Sequence, residues 1–216
     1  MKNKEEFSKY ILDFYNTQRR DFPWRRARNP YKIFLTEILL RRTTSTQVNA
    51  IYFKFFDEYP TIKSLALAKE EDLEKLIKPL GLSKQRSKQM VKMANVIMEQ
   101  HNGKIPRTYN ELIELPGVGM YTVGGFLCLV CNNDVSMVDT NVIRVVTRYF
   151  NVKSTKTEIW TDKKIWKFVK DLIPKGECKE FNLGLIDFAN ATCTPKNPKC
   201  KECSLNAECY FSKKNI

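Results

Sequence analysis

Apolar residues recur along this chain with the period of an α-helix. Phe7, Tyr10, Ile11 and Phe14 share one face of a helix predicted over residues 4–17. The same periodicity predicts further helices over 30–41, 46–58, 61–67, 70–78, 83–100, 119–131, 139–150, 160–172 and 178–192. No stretch alternates apolar and polar residues as a half-buried strand does, and no internal repeat is visible. The sequence therefore predicts an all-α protein.

Polar residues at the helix ends support these boundaries. The Thr- and Ser-containing segment 43–46 can cap the helix that begins near its end, and Ser83 is expected to cap the helix over 83–100. Asp139 stands at the N-cap of a helix with a buried valine-rich face, and Arg144 and Arg148 are expected on its outer face.

The segment Leu115–Gly119, Leu-Pro-Gly-Val-Gly, separates two apolar helical stretches. Pro116 cannot continue the helix before it, and Gly117 and Gly119 permit backbone conformations closed to other residues. The segment is therefore predicted to form a tight hairpin between two helices. Backbone N–H groups at the start of the following helix, together with its dipole, suit a phosphate group.

The net charge indicates what kind of partner the chain binds. Its 216 residues include 37 Lys and Arg against 24 Asp and Glu, which gives +13 at pH 7. This charge predicts an anionic partner, nucleic acid first, although a generally basic, solubilising surface would give the same value. No apolar run approaches the ~20 residues of a membrane span, and the N-terminus has no apolar signal core. We therefore expect no membrane partner and a cytoplasmic location, nucleoid-associated if the source is prokaryotic.

Four of the seven cysteines form a closely spaced C-terminal group. Cys193, Cys200, Cys203 and Cys209 follow the pattern C-x6-C-x2-C-x5-C. Four thiolates suit either structural zinc or an iron–sulfur cluster. Zinc ribbons usually have two C-x2-C knuckles and this chain has one, while a disulfide pair is uncommon in a reducing compartment.

The spacing of these motifs resembles a known family. Leu115–Gly119 followed twenty residues later by Val138 and Asp139 resembles the helix-hairpin-helix and catalytic aspartate of the endonuclease III superfamily of DNA glycosylases. The cysteine spacing is similar to the [4Fe–4S] loop of the endonuclease III and adenine glycosylase families. The resemblance extends from about Arg20 to Cys209, nearly the whole chain.

This resemblance implies two helical domains with a DNA-facing cleft between them. One is a helical barrel over residues 22–134 that contains the hairpin. The other is a discontinuous iron–sulfur domain formed by 1–21 and 135–216, in which the four C-terminal cysteines bind a [4Fe–4S] cluster. Lys196 and Lys199 in the cysteine loop are expected to compensate the cluster's charge and to contact phosphate.

The resemblance also assigns chemistry to three residues. Asp139 matches the aspartate that, when ionised, stabilises the sugar cation formed as the base leaves. Tyr121 stands where the endonuclease III branch has a Schiff-base lysine, and a tyrosine there is similar to the thymine-DNA mismatch glycosylase branch; core packing is the alternative role. Glu37 matches a glutamate of the adenine glycosylase and mismatch branches, where a semi-buried carboxyl performs acid/base work. The alternative for Glu37 is an ion pair with Arg41, four residues on.

A further set of residues is expected to contact DNA. Arg41, Arg42 and Thr43 stand where family members fill the gap left by the flipped base or touch its partner, although arginine also suits a helix C-terminus. Arg42 and Leu82 are the candidates for the wedge that enters the base stack. The hairpin contributes Leu115, Gly117, Gly119 and Met120.

The resemblance implies a monofunctional DNA glycosylase of base excision repair that removes thymine or uracil from G·T and G·U mismatches and leaves an abasic site. The expected partner is double-stranded DNA containing a mismatch, bound by a monomer. One alternative is an adenine glycosylase acting on A·8-oxoguanine or A·G mispairs. The chain stops seven residues after Cys209, whereas typical members of that branch carry a further domain.

The helix-hairpin-helix is also compatible with a protein that binds DNA without chemistry. Such a non-catalytic DNA-binding protein would not need Asp139 and Glu37, and both are present. A bifunctional lyase, in turn, would require another lysine to replace the amine that is missing at Tyr121.

Overall fold

The structure, a computed structural model, describes residues 4–215; residues 1–3 and 216, which lie at the ends of the expected split domain, fall outside this range. The helices of the described range are α1 (Lys4–Gln18), α2 (Pro30–Leu39), α3 (Ser45–Glu58), α4 (Ile62–Ala66), α5 (Glu70–Ile77), α6 (Ser83–Gln100), α7 (Tyr109–Glu114), α8 (Met120–Leu129), α9 (Thr140–Phe150), α10 (Lys163–Lys170), α11 (Cys178–Ala191) and α12 (Tyr210–Asn215). No strand occurs among residues 4–215, which confirms the all-α prediction. No helix within this range combines the length and apolar character needed to cross a bilayer.

Several helices are shorter than the sequence predicts: α10 is Lys163–Lys170 rather than 160–172, and α8 is Met120–Leu129 rather than 119–131. Ser83 does not cap α6; the N-cap is Leu82, and the Ser83 hydroxyl instead lies 3.4 Å from Glu74 Oε1. Helix α12 was not predicted, because its six residues are too few to show an apolar period. In contrast, Thr44 caps α3 with a capping box to Gln47, as the polar segment before that helix predicted.

The chain forms two compact units. Of the described residues, the first unit contains those up to Arg20 and those from Asn132 to 215, and the second contains Asp21–Cys131. In the first unit α1 packs along α11, and α9 packs against α11 and α12. Gly184 on α11 permits the close approach of α1, because a Cβ there would lie 2.7 Å from the Ile11 carbonyl oxygen.

The second unit carries the hairpin segment and the apolar helix α2. Helix α2 packs against α8, and α4 and α5 pack against α6. Phe34 and Phe126 meet edge to face across the α2–α8 contact, with ring centroids 5.3 Å apart. Both side chains are fully buried, so the hairpin that precedes α8 is fixed to a rigid core.

Candidate functional site

The segment at 115–119 forms the predicted hairpin between α7 and α8. Gly117 adopts φ +75°, and a Cβ there would lie 3.0 Å from Gln89 Oε1, so both its conformation and its surroundings favour glycine. Gly119 differs from the expectation, because its φ of −122° is open to any residue. It is the N-cap of α8 without a side-chain cap, and nothing lies within 4 Å of the position its Cβ would occupy. The start of α8 is therefore open to a ligand such as phosphate.

Two other predicted hairpin residues differ in exposure. Leu115 is only 2% exposed, so its side chain belongs to the core and only its backbone is available to DNA. Met120, the first residue of α8, is half-buried.

A polar cavity, open to solvent, lies next to the hairpin. Four of the predicted DNA-contacting residues line it: Arg41, Arg42, Leu82 and Gly117. The Arg41 guanidinium donates a hydrogen bond to the Gly117 carbonyl, which joins the end of α2 to the hairpin. The sequence did not single out the three polar residues of α6 that also line the cavity, Gln85, Arg86 and Gln89.

The two wedge candidates share an unusual backbone conformation. Arg42 and Leu82 both have φ of 51°, a left-handed value that non-glycine residues rarely adopt. Leu82 is 58% exposed although it is a large apolar residue. Arg42 follows the C-terminal end of α2 and Leu82 is the N-cap of α6, so both wedge candidates lie at helix ends. Strain of this kind often occurs at ligand-binding sites.

Thr43 takes part in holding the Arg42 turn. Its hydroxyl lies 3.0 Å from Gln47 Oε1, which also accepts a hydrogen bond from the Thr44 amide at 3.1 Å. Thr43 is half-buried, and its contact with Gln47 continues the polar network of the α3 N-terminus.

Glu37 and Tyr121 also lie in the second unit. Glu37 is 4% exposed, and its side chain packs on α8 where a Cβ at Gly125 would lie 3.0 Å from Glu37 Cγ. Tyr121 is the second residue of α8 and is half-buried. The next residue, Thr122, is fully buried, and its hydroxyl has no hydrogen-bond partner among the described residues.

Asp139 lies in the first unit and is the N-cap of α9, as predicted. Its Oδ1 accepts a hydrogen bond from the Val142 amide at 2.8 Å, and its Oδ2 accepts one from Asn141 Nδ2 at 2.8 Å. The Asn141 side-chain oxygen, Oδ1, in turn accepts a hydrogen bond from Arg144 Nη1 at 3.0 Å. Arg144 Nε donates to the Cys193 backbone carbonyl at 2.8 Å. The carboxylate is thus oriented by two donors, one of which is connected to the cysteine loop.

The four C-terminal cysteines line one cavity, part of which is open to solvent. All four are free thiols. Burial, reinforced by the neighbouring cysteines, raises the pKa of Cys203 to about 11, and the same causes raise the pKa of Cys200. Within the described residues no three His, Cys, Asp or Glu side chains are grouped as ligands of a metal ion.

Arg148 holds the loop between the first two of these cysteines. Its Nη1 lies 2.7 Å from the Thr194 carbonyl and 3.6 Å from Cys193 Sγ, and its Nη2 lies 3.0 Å from the Pro195 carbonyl. Arg144 and Arg148 were expected on the outer face of α9, but both guanidinium groups turn to the cysteine loop. Lys196 and Lys199 are exposed on that loop.

Comparisons with known proteins agree with this arrangement of motifs. The family model described as HhH-GPD superfamily base excision DNA repair protein matches residues 35–171. The chain belongs to this superfamily. A thymine/uracil-DNA glycosylase from Methanothermobacter thermautotrophicus is 41% identical over 213 residues, covering 99% of this chain and 96% of the relative.

Solved structures of related proteins are similar to this HhH-GPD protein over nearly its whole length. A thermostable thymine-DNA glycosylase is similar with a TM-score of 0.91 and 41% identity, covering 98% of this chain and 97% of that one. A trapped endonuclease III–DNA covalent intermediate is similar with a TM-score of 0.86 and 25% identity, covering 100% and 99%. The resemblance inferred from the hairpin, the spaced aspartate and the cysteines is therefore confirmed.

Proposed function

We propose that this chain is a monofunctional DNA glycosylase that removes thymine or uracil opposite guanine and leaves an abasic site. The proposal rests on full-length similarity to a thymine/uracil-DNA glycosylase together with one residue, Tyr121. Tyr121 follows the hairpin at the position where a Schiff-base amine would be needed for strand cleavage. Water is then the nucleophile at the sugar, and the strand stays intact until the abasic site is cut by another agent.

Asp139 is the residue that we propose stabilises the sugar cation. Departure of the base leaves positive charge on C1′ and the ring oxygen, and a nearby carboxylate lowers the energy of that charge. The two hydrogen bonds to Asp139, from Val142 and Asn141, hold its carboxylate at the N-terminus of α9. Glu37, buried on α2, is proposed to assist the leaving base or the attacking water by acid/base chemistry.

DNA binding is proposed to depend on the second unit's hairpin and arginine cavity, with Lys196 and Lys199 contributing phosphate contacts from the cysteine loop. Partial burial, then the charge of Arg42, lowers the pKa of Arg41; burial and the charge of Arg41 lower that of Arg86. The exposed positive charges of Arg41 and Arg42 favour an anionic ligand at the cavity, whereas the Arg86 guanidinium is bound to backbone carbonyls. The proposed ligand is a mismatched duplex, bound by a monomer, and the strained, exposed Leu82 and Arg42 are its candidate wedges.

Four free thiols line one cavity, and they are the donor set that would hold an iron–sulfur cluster. We propose that Cys193, Cys200, Cys203 and Cys209 hold a [4Fe–4S] cluster, which ties the C-terminal loop together. Arg148 offers positive charge and a donor to the Cys193 sulfur, as an anionic cluster would require.

Pure protein should accordingly be brown, with broad visible absorbance and equal amounts of iron and acid-labile sulfide. Cys203→Ser should lose most of both, because it removes one of four ligands. Cys131→Ser is the matched control, since Cys131 is also a free thiol but does not line the cavity. Colourless protein that is prepared without oxygen and contains one zinc ion per chain would contradict the cluster.

Excision assays on matched duplexes test the proposed substrate. Duplexes containing G·T, G·U, A·8-oxoguanine or thymine glycol are incubated with excess enzyme and then treated with alkali. We expect excision of thymine and uracil opposite guanine and little release from the other two. Preferred release of adenine opposite 8-oxoguanine would favour the adenine glycosylase alternative.

A further inference from the structure

Arg86 belongs to α6, but its side chain donates hydrogen bonds to carbonyl groups at the C-terminal end of α2. Its Nη2 lies 3.0 Å from the Ile38 carbonyl and 2.8 Å from the Leu39 carbonyl, and its Nη1 lies 2.9 Å from the Arg41 carbonyl. The last carbonyls of a helix lack intrahelical partners and carry partial negative charge, so a guanidinium is well matched to them. Three bonds from one planar fork fix the direction in which the chain leaves α2.

The residue that follows this anchor is the strained Arg42. The Arg41 carbonyl is held by Arg86, and the Arg41 guanidinium is held by the Gly117 carbonyl. On the other side, Gln47 holds the Thr44 amide through Oε1. Arg42, with φ of 51°, is therefore placed between two fixed points. A strained conformation persists only where its surroundings impose it in this way.

The same anchors connect Arg42 to the second wedge candidate. Gln47 Nε2 donates to the Pro79 carbonyl at 2.8 Å, three residues before Leu82. Arg86 itself lies four residues after Leu82, and its amide donates to the Leu82 carbonyl at 3.0 Å within α6. Arg86 and Gln47 thus connect the Arg42 turn with the Leu82 turn, and Arg42 and Leu82 line one cavity.

Arg86 is half-buried, and both of its terminal nitrogens are used by backbone carbonyls. Arg42, in contrast, is exposed. Arg42 can therefore contact DNA, whereas Arg86 supports Arg42.

We propose that Arg86 is a positioning residue that fixes the Arg42 turn and thereby sets discrimination of the base opposite the excised pyrimidine. The inference rests on the proposed function, because it takes Arg42 to act at the base opposite the lesion. Arg86 does not touch substrate in this scheme; it acts only through Arg42.

The test compares Arg86→Lys, which keeps the charge but loses the planar fork, with Arg42→Ala and the double variant. The quantity measured is the ratio of kcat/KM for uracil opposite guanine to that for uracil opposite adenine. We expect Arg86→Lys to lower this ratio by about tenfold, as loss of charged hydrogen bonds would do. We expect the double variant to have the same ratio as Arg42→Ala alone, because the effects of residues that act through one another are not additive.

Lys88→Gln on the same helix is the control, since Lys88 is exposed and should leave the ratio unchanged. Thermal unfolding and the affinity for a duplex with an abasic analogue opposite guanine or adenine are measured for every variant. The proposal for Arg86 would be overturned if Arg86→Lys left the ratio unchanged. It would also be overturned if the double variant lowered the ratio by the product of the two single effects. A wild-type protein that excises no uracil would overturn the proposed function instead, and the abasic-duplex affinities would then still show whether Arg86 acts through Arg42.

Discussion

Asp139→Asn is expected to lower the excision rate by about a thousandfold or more, the effect of removing a charge that stabilises the transition state. The variant should still fold, because asparagine is about as good an N-cap as aspartate and can accept the Val142 amide through Oδ1. Its new NH₂ group would face Asn141 Nδ2, where the carboxylate now accepts a hydrogen bond. Asn141 must then rotate its amide, which also removes the acceptor of Arg144 Nη1.

The measurement is single-turnover excision on a G·U duplex, with binding to the same duplex followed separately. Asp162→Asn is the matched control, because Asp162 is the N-cap of α10 in the same unit and accepts the Lys164 amide at 2.9 Å. It should excise at the wild-type rate. Normal excision by Asp139→Asn, with folding intact, would show that the carboxylate charge has no part in catalysis.

Tyr121→Lys is expected to create strand-cleaving activity that the wild-type protein lacks. The new amine would stand at the second position of α8, directly after the hairpin. The positive end of the helix disfavours a second positive charge there and so favours the neutral, nucleophilic amine. The amine attacks C1′ and displaces the base, and the sugar ring then opens to give a Schiff base. Elimination of the 3′ phosphate from this intermediate cuts the strand.

Borohydride trapping of the protein on a G·U duplex measures this gain. Tyr109→Lys provides the matched control, since Tyr109 is the 46%-exposed first residue of α7 in the same unit. It should not be trapped. Trapping of both variants, or of the unaltered protein, would mean that Tyr121 does not determine the reaction type.

Local signals made the helices and several caps predictable from the sequence. Asp139 and Thr44 precede apolar helical patterns and cap their helices. Gly117 requires the left-handed conformation that its place in the hairpin indicated, whereas Gly119 shows that a glycine pattern alone does not determine φ. The failure at Ser83 has a similar cause, because Leu82 adopts a left-handed conformation that its residue type does not suggest.

Contacts between distant parts of the chain were not predictable in the same way. Arg86 meets Arg41 across 45 positions of sequence, and Arg144 meets Cys193 across 49. Neither arginine differs in local pattern from the other basic residues of its helix. Long, flexible side chains can turn from a solvent-facing position to a distant carbonyl, and helical periodicity does not report that choice.

Release of thymine without strand cleavage is tested by incubating a G·T duplex with the wild-type protein. The products are separated on a denaturing gel with and without alkali treatment. We expect thymine to be released while the strand remains full length, and alkali then to cut the strand at the former thymine. A strand cut at that position before alkali is added, or a strand that alkali leaves intact after long incubation, would contradict this expectation.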